Sequence, residues 1–466
     1  MSILDPIVFP KISCLSNGLK VATIPIKSEL STIGIWVKSG SIYENPKTSG
    51  VAHFLEHILF RGNEKYPQKQ LEMLAEAKGI NLMAATSRVT TAFFAQVDQQ
   101  QVSQATDVLS QIVLNPKIEQ SAVDNERATI LAEEFEVNHD FNETVWDRLH
   151  KACFPESSVG MPILGTRETI QSISAEMIKS HHDKFFNQSN CYFIAATKEP
   201  HEKIVEYVGK ATAFLKPRAT LDINGEDNKV KPVFKPQFLL FNSNYIQDSW
   251  CSLAIEAPHI NSPFFIPCQL IKNGIGDLNY RLPMERPSLL RSTAVNRLQT
   301  HYFPYGTSGI LAFLGNAPFG REQEWMNDII RSVQSITAEL TPETLQLAKK
   351  RLKYQLARNL TSTRAVADEL GMNLLLRGRW RSLENWGHEI DSVSKDDMMN
   401  FAMTFLHKKP FAGSFVLPPP PPQATPPAAK EQAPQPQKPT AQKNQPSKII
   451  NPNEPLQNRP TKLITK

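Results

Sequence analysis

Two histidines and a glutamate stand close enough in the chain to share one reaction: His53, Glu56 and His57, in the order H-x-x-E-H. On a helix, residues four apart lie one turn from each other, so His53 and His57 project to the same side and can share one Zn2+ at about 2.0–2.1 Å. Glu56 flanks such an ion without having to ligate it. A carboxylate there can take the proton from a metal-activated water and later give it to a leaving amine. The competing reading is a pair of solvated or core histidines.

A two-histidine site needs a third protein ligand and one open position. The candidates lie on a helix expected over residues 120–137, which carries Glu126, Glu133, Glu134 and Glu136. Glu126 and Glu133 are seven apart, nearly two full turns, and so share a face with Ile130. Glu134 and Glu136 point elsewhere, as a solvated charged face would. Spacing alone leaves Glu126 and Glu133 both open as the ligand.

The elements that must position these residues follow from periodicity. Residues 18–26 and 31–40 alternate apolar and polar types and read as strands. Helices are expected at 51–60 and 69–77, a strand at 91–97, and helices at 102–114, 120–137, 142–152 and 174–185 before a strand at 191–196. This is an α+β pattern, a mixed sheet packed against helices. We place a first domain at residues 1–215, a linker at 216–235 and a second α+β domain at 236–416. A strand at 309–314, a helix at 322–336, a Leu340-Thr341-Pro342 break and a helix at 343–360 repeat the order of the first half, which indicates an internal duplication. Where the first half has its glutamate helix, the second has Lys349, Lys350, Arg351 and Lys353, so no second metal site is expected.

The segments GIWVKSGSIYENPKTSGVAHFLEH, AATSRVTTAFFA, ERATILAEEFEV and PILGTRETIQSIS, in this order, resemble the pitrilysin-type inverted zincins. The likeness is greatest to the branch containing the β subunit of the mitochondrial processing peptidase and its bacterial relatives. It is dense from Leu15 to about Thr197 and thins afterwards. The resemblance implies one zinc per chain held by His53, His57 and Glu133, with Glu56 as catalytic base and Glu126 orienting a ligand histidine. It also implies a heterodimer with a related α-type subunit and basic, extended presequence peptides as substrates. Glu134, Glu136, Asp140 and Glu143 are candidate partners for their cationic side chains. The family's substrate-binding strand falls on Met83, Ala84, Ala85 and Thr86. Here Met83 replaces an asparagine and Val89 an acidic residue, so one polar contact to the peptide is expected to be missing. The chain lacks the α subunit's glycine-rich loop. The alternatives are a non-catalytic core subunit of a respiratory complex and a bacterial-type peptidase of broader specificity.

Composition sets the remaining bounds. The chain has 466 residues, 41% hydrophobic and 21% charged, enough for more than one globular core. The net charge of +5 resides in residues 418–466, which hold 14 of the 35 prolines; the rest is neutral, which argues against nucleic acid as a partner. That Pro-rich tail, residues 417–466, is expected to be disordered. No run of eighteen apolar residues occurs, so no transmembrane segment is expected. Five cysteines without CxxC spacing suggest reduced, buried thiols. No Arg-rich leader precedes the first strand, so the chain is read as a mature one or as one imported through internal signals. The compartment implied is a mitochondrial matrix or a hydrogenosome, with a bacterial cytoplasm as the lesser choice.

Overall fold

A computed structural model describes residues 3–216, 232–279 and 297–419. The expected linker at 216–235 and the tail at 417–466 fall mostly outside these residues. The first half comprises β1 (Lys11–Cys14), β2 (Lys20–Pro25), β3 (Leu30–Val37), α1 (Val51–Leu59), α2 (Gln68–Lys78), β4 (Asn81–Thr86), β5 (Thr91–Asp98), α3 (Val102–Leu114), α4 (Gln120–His139), α5 (Phe141–Cys153), α6 (Arg167–Ser172), α7 (Ala175–Phe185), β6 (Cys191–Thr197) and α8 (His201–Ala211). The second comprises β7 (Phe238–Asn242), β8 (Ser249–Ala257), α9 (Phe265–Ile275), β9 (Leu278–Asn279), β10 (Arg297–Pro304), β11 (Gly309–Ala317), α10 (Glu322–Gln334), α11 (Ile336–Glu339), α12 (Pro342–Asn359), α13 (Thr363–Arg377), α14 (Leu383–Ser392), α15 (Lys395–Phe405) and β12 (Phe411–Leu417). The α+β expectation holds.

Each half builds a mixed six-stranded sheet, in the orders β1-β2-β6-β3-β5-β4 and β7-β12-β8-β11-β10-β9. Five strands correspond one to one: β2-β6-β3-β5-β4 and β7-β12-β8-β11-β10 share both order and direction, with the β2/β6 and β7/β12 pairs parallel and the rest antiparallel. Such agreement across the sheets is the duplication that the element order indicated.

Both faces of each sheet are covered, which is why β6 reads CYFIAAT rather than alternating. One face of the first sheet packs on the half's own helices, with Ile33, Ile35, Phe93 and Ala95 set against Phe54, Leu109 and Ile112. The other face receives α13 from the second half, through Val366, Ala367, Leu370 and Leu374 on Ala22, Ile24, Trp36 and Ile194. The loan is returned: Leu149, Ala152 and Cys153 of α5 pack with Ala254, Ile310, Ala312 and Ala412 of the second sheet. Sequence assigned α5 to the first domain, but its apolar face packs in a cluster shared with the second sheet.

Two sequence readings need amending. β1 and β4 are strands that periodicity did not mark, and Cys14 is exposed while the other four cysteines are buried. Among the described residues no helix is long and apolar enough to cross a membrane.

Candidate metal centre

Helix α1 carries His53, Glu56 and His57. Val51, Ala52, Phe54, Leu55, Ile58 and Leu59 are all buried, which fixes the helix against the core. Its start is set by Gly50, whose φ of 91° suits glycine, and where a Cβ would lie 2.4 Å from the Leu164 carbonyl oxygen. Gly165 makes the reciprocal approach to Ser49, so the PILGT segment is pressed against the start of the helix. No side chain at Gly50 can cap the helix. The cap comes from Glu44, whose two carboxylate oxygens accept the backbone N–H groups of Gly50 and Ala52 at 2.8 Å each. Burial nonetheless pushes the Glu44 carboxyl from 4.5 up to about 8, against the opposing pull of those two bonds.

Helix α4 buries only Val123, Glu126 and Ile130, a stripe at helical spacing that continues to Glu133 and faces α1. Arg127 fixes its rotation by donating to the Ile173 carbonyl at 2.9 Å and lying over the Phe54 ring at 5.7 Å. The Glu133 oxygens then reach both histidines, 3.5 Å from Nε2 of His53 and 3.1 Å from Nε2 of His57. Hydrogen bonds to His53, then His57, hold the Glu133 carboxyl well below the usual carboxylate range despite partial burial. The donor atoms of His53, His57 and Glu133 lie within 4.8 Å of one another, the one such three-residue group among the described residues.

The donor set fits zinc. Two imidazole Nε2 atoms and one carboxylate converge, leaving a side of the site open. Nδ1 of His57 lies 3.0 Å from Oε1 of Glu126, so a proton on Nδ1 leaves the Nε2 lone pair facing the other donors. Oε2 of Glu56 is buried with no hydrogen-bond partner among the described residues. The geometry thus separates what spacing left open: Glu133 faces the Nε2 atoms, whereas Glu126 backs His57. Sequence reasoning missed Arg61, which pairs with Glu126, and Glu44; the former lies four residues after His57, but its partner is 65 positions further on.

The four strand residues are not equivalent. Ala84, like Leu82 before it, packs toward the core that carries α1, whereas Met83 turns to the opposite face. Its sulfur there sits 3.9 Å from Nη1 of Arg364 on α13. Met83 therefore does not meet the metal ligands; β4 brings its main chain, as the edge strand of the sheet. Between α1, α2 and β4 lies a cavity of about 450 Å3, lined by Glu56, His57 and Arg61 together with Phe60, Leu71 and Leu82. Glu134 is half-buried and holds Asn138, while Glu136 and Glu143 are exposed at the end of α4 and the start of α5.

A duplicated α+β fold with this site defines a class of metallopeptidase, and comparison with known proteins agrees. Residues 20–167 match the family described as Insulinase (Peptidase family M16), and residues 172–352 match the Peptidase M16 inactive domain. The chain belongs to peptidase family M16. It is 30% identical over 414 residues to the mitochondrial-processing peptidase subunit beta of Dictyostelium discoideum, covering 85% of this chain and 86% of that protein. It is 26% identical over 420 residues to the ubiquinol-cytochrome-c reductase complex core protein I of Euglena gracilis, with 83% of each covered. A protease from Helicobacter pylori has the same fold, with a TM-score of 0.77 at 17% identity over 88% of this chain and all of that one.

Proposed function

We propose that the chain is a zinc endopeptidase, the catalytic β-type subunit that removes N-terminal targeting presequences from proteins imported into a mitochondrion or a related organelle such as a hydrogenosome. The observation that carries this reading is the convergence of His53, His57 and Glu133 beside a buried Glu56 oxygen without a partner. Zinc bound there supplies Lewis acidity that makes water a nucleophile at neutral pH. Glu56 accepts the proton at Oε2 and returns it to the amine of the cleaved bond. Glu126 holds His57 by Nδ1 and keeps the ring aimed.

The substrate chain adds to the free edge of β4 along residues 83–86, so main-chain hydrogen bonds hold it extended beside Glu56. The cavity beyond Glu56 takes one bulky apolar side chain next to the scissile bond, seated on Phe60, Leu71 and Leu82. Exposed Glu136 and Glu143 attract a cationic peptide. A related α-type subunit completes the assembly in this reading, and the compartment is mitochondrial. A second reading, a non-catalytic core subunit of a respiratory complex, is favoured by the likeness to the Euglena gracilis core protein.

The two part on one experiment: zinc content and presequence cleavage, by the chain alone and with a co-expressed α-type subunit, for wild type and Glu56→Gln. Glu56→Gln is expected to keep its zinc and lose all but a few per cent of hydrolysis. A wild-type chain that carries zinc with the partner present yet cleaves nothing supports the core-subunit reading.

A further inference from the structure

Glu126 is 5% exposed through its side chain, and its carboxylate must stay in one orientation if it is to hold His57. A buried carboxylate meets that demand only with a paired charge and with hydrogen bonds that leave it no second orientation. The structure supplies the paired charge from a residue outside the metal motif. Arg61 lies just past the end of α1, four residues after His57, and its Nη2 pairs with Oε2 of Glu126 while Oε1 faces Nδ1 of His57 at 3.0 Å. The guanidinium is held from its other side, where Nη1 donates to Oε1 of Gln68 on α2 at 3.2 Å. Gln68 in turn donates to Oε1 of Glu72 at 2.9 Å. The result is a chain of contacts from exposed Glu72 on α2 through Gln68, Arg61 and Glu126 to the His57 ring.

We propose that Arg61 is a positioning residue of the zinc site: it fixes the plane of the Glu126 carboxylate and through it the tautomer and orientation of His57. This rests on the zinc reading given above. A planar, permanently charged fork suits the task, because it occupies one carboxylate oxygen and leaves the other for the imidazole. A lysine offers charge without the fork. A glutamine offers neither, and leaves the carboxylate free to rotate and its charge unbalanced.

The test is Zn2+ affinity, measured by competition with a chromogenic chelator, for wild type, Arg61→Lys, Arg61→Gln, Glu126→Gln and the double variant Arg61→Gln/Glu126→Gln. Thermal melts of the metal-free proteins check the fold. Arg61→Gln is expected to weaken zinc binding about 10–100-fold, as loss of an outer partner does, with Arg61→Lys recovering part. If Arg61→Gln fails to fold, the double variant, which removes the buried charge as well, takes its place. In the Glu126→Gln background, Arg61→Gln is expected to change affinity by less than about threefold, because its effect passes through Glu126. A fall as large in that background as in wild type overturns the proposal, as does an Arg61→Gln chain that keeps wild-type affinity and shows only a raised KM for peptide. A wild-type chain that binds no zinc overturns both this proposal and the reading beneath it. Wild-type binding with an unaffected Arg61→Gln overturns this one alone.

Discussion

Gly371 sits in the middle of α13, where that helix presses on the first sheet, and Gly371→Ala tests how tight the contact is. An added Cβ would lie 2.6 Å from Cγ and Cδ1 of Trp36 and 3.0 Å from Cδ2. Ordinary carbon contacts are about 3.5–4.0 Å, so the indole or the helix must retreat by about 1 Å. Trp36 has little room for this: it is 1% exposed, stacks on Phe94 at 5.9 Å and donates from Nε1 to Asp368 at 3.2 Å. Overpacking of this kind costs about 1–3 kcal/mol, and losing the Trp36–Asp368 bond about 1 more. Alanine's helix propensity returns about 1 kcal/mol. The net expectation is a loss of about 1–3 kcal/mol, read as a lower Tm. Gly387→Ala, in α14, is the internal control, since a Cβ there meets nothing within 4 Å. It is expected to stabilise by up to about 1 kcal/mol. If Gly371→Ala stabilised the protein as much as Gly387→Ala, the close fit of α13 on Trp36 would be refuted.

Three further outcomes follow from the site. Glu133→Gln is expected to weaken zinc binding well beyond the loss in Glu126→Gln, itself about 10–100-fold; a metal titration giving the reverse order would exchange their roles. Glu44 has a folded value raised from 4.5 to about 8, so it binds its proton more tightly folded than unfolded. Its contribution to the stability of the metal-free chain is full below about 4.5 and is lost as pH rises through about 8. Glu44→Gln should flatten that part of the pH–stability profile, and an unchanged slope in urea unfolding would show that the carboxylate is ionised throughout. Met83→Asn is expected to leave kcat/KM for an extended presequence peptide within about twofold and to cost up to about 2 kcal/mol of stability, because the side chain packs beneath α13. A several-fold gain in kcat/KM would instead mean that position 83 reaches the peptide.

What could be read from the sequence was local. His53, Glu56 and His57 share one turn of one helix, and Glu126 and Glu133 share one face of another, so spacing alone announced both. Which glutamate faces Nε2 depends on how α4 rolls on α1, and that is set by Arg127 and Phe54, far apart in the chain. Arg61 and Glu44 escaped notice for the same reason: their partners are fixed by tertiary contact. β4 reads NLMAAT, without the β-branched and aromatic residues that mark strands, and is an edge strand shaped by its neighbour. The side of the sheet taken by Met83 followed from that missed register. Helix α5 was visible as a helix while α13 was not marked, and even a visible apolar stripe does not say which sheet it will cover.

That last ambiguity bears on how such a chain can arise. α5 follows α4 as α13 follows α12, so the two lent helices are equivalent elements of the repeat, each crossing to the other copy's sheet. This is the arrangement of a swapped homodimer whose two subunits were joined head to tail. Fusion would then have required no new packing surface, only a connection between subunits already interlocked. The same interlock has a cost during synthesis: until residue 377 has been made, the outer face of the first sheet, with Ala22, Ile24, Trp36 and Ile194, has no helix to cover it. Completion of the first half's packing therefore depends on chain made after it.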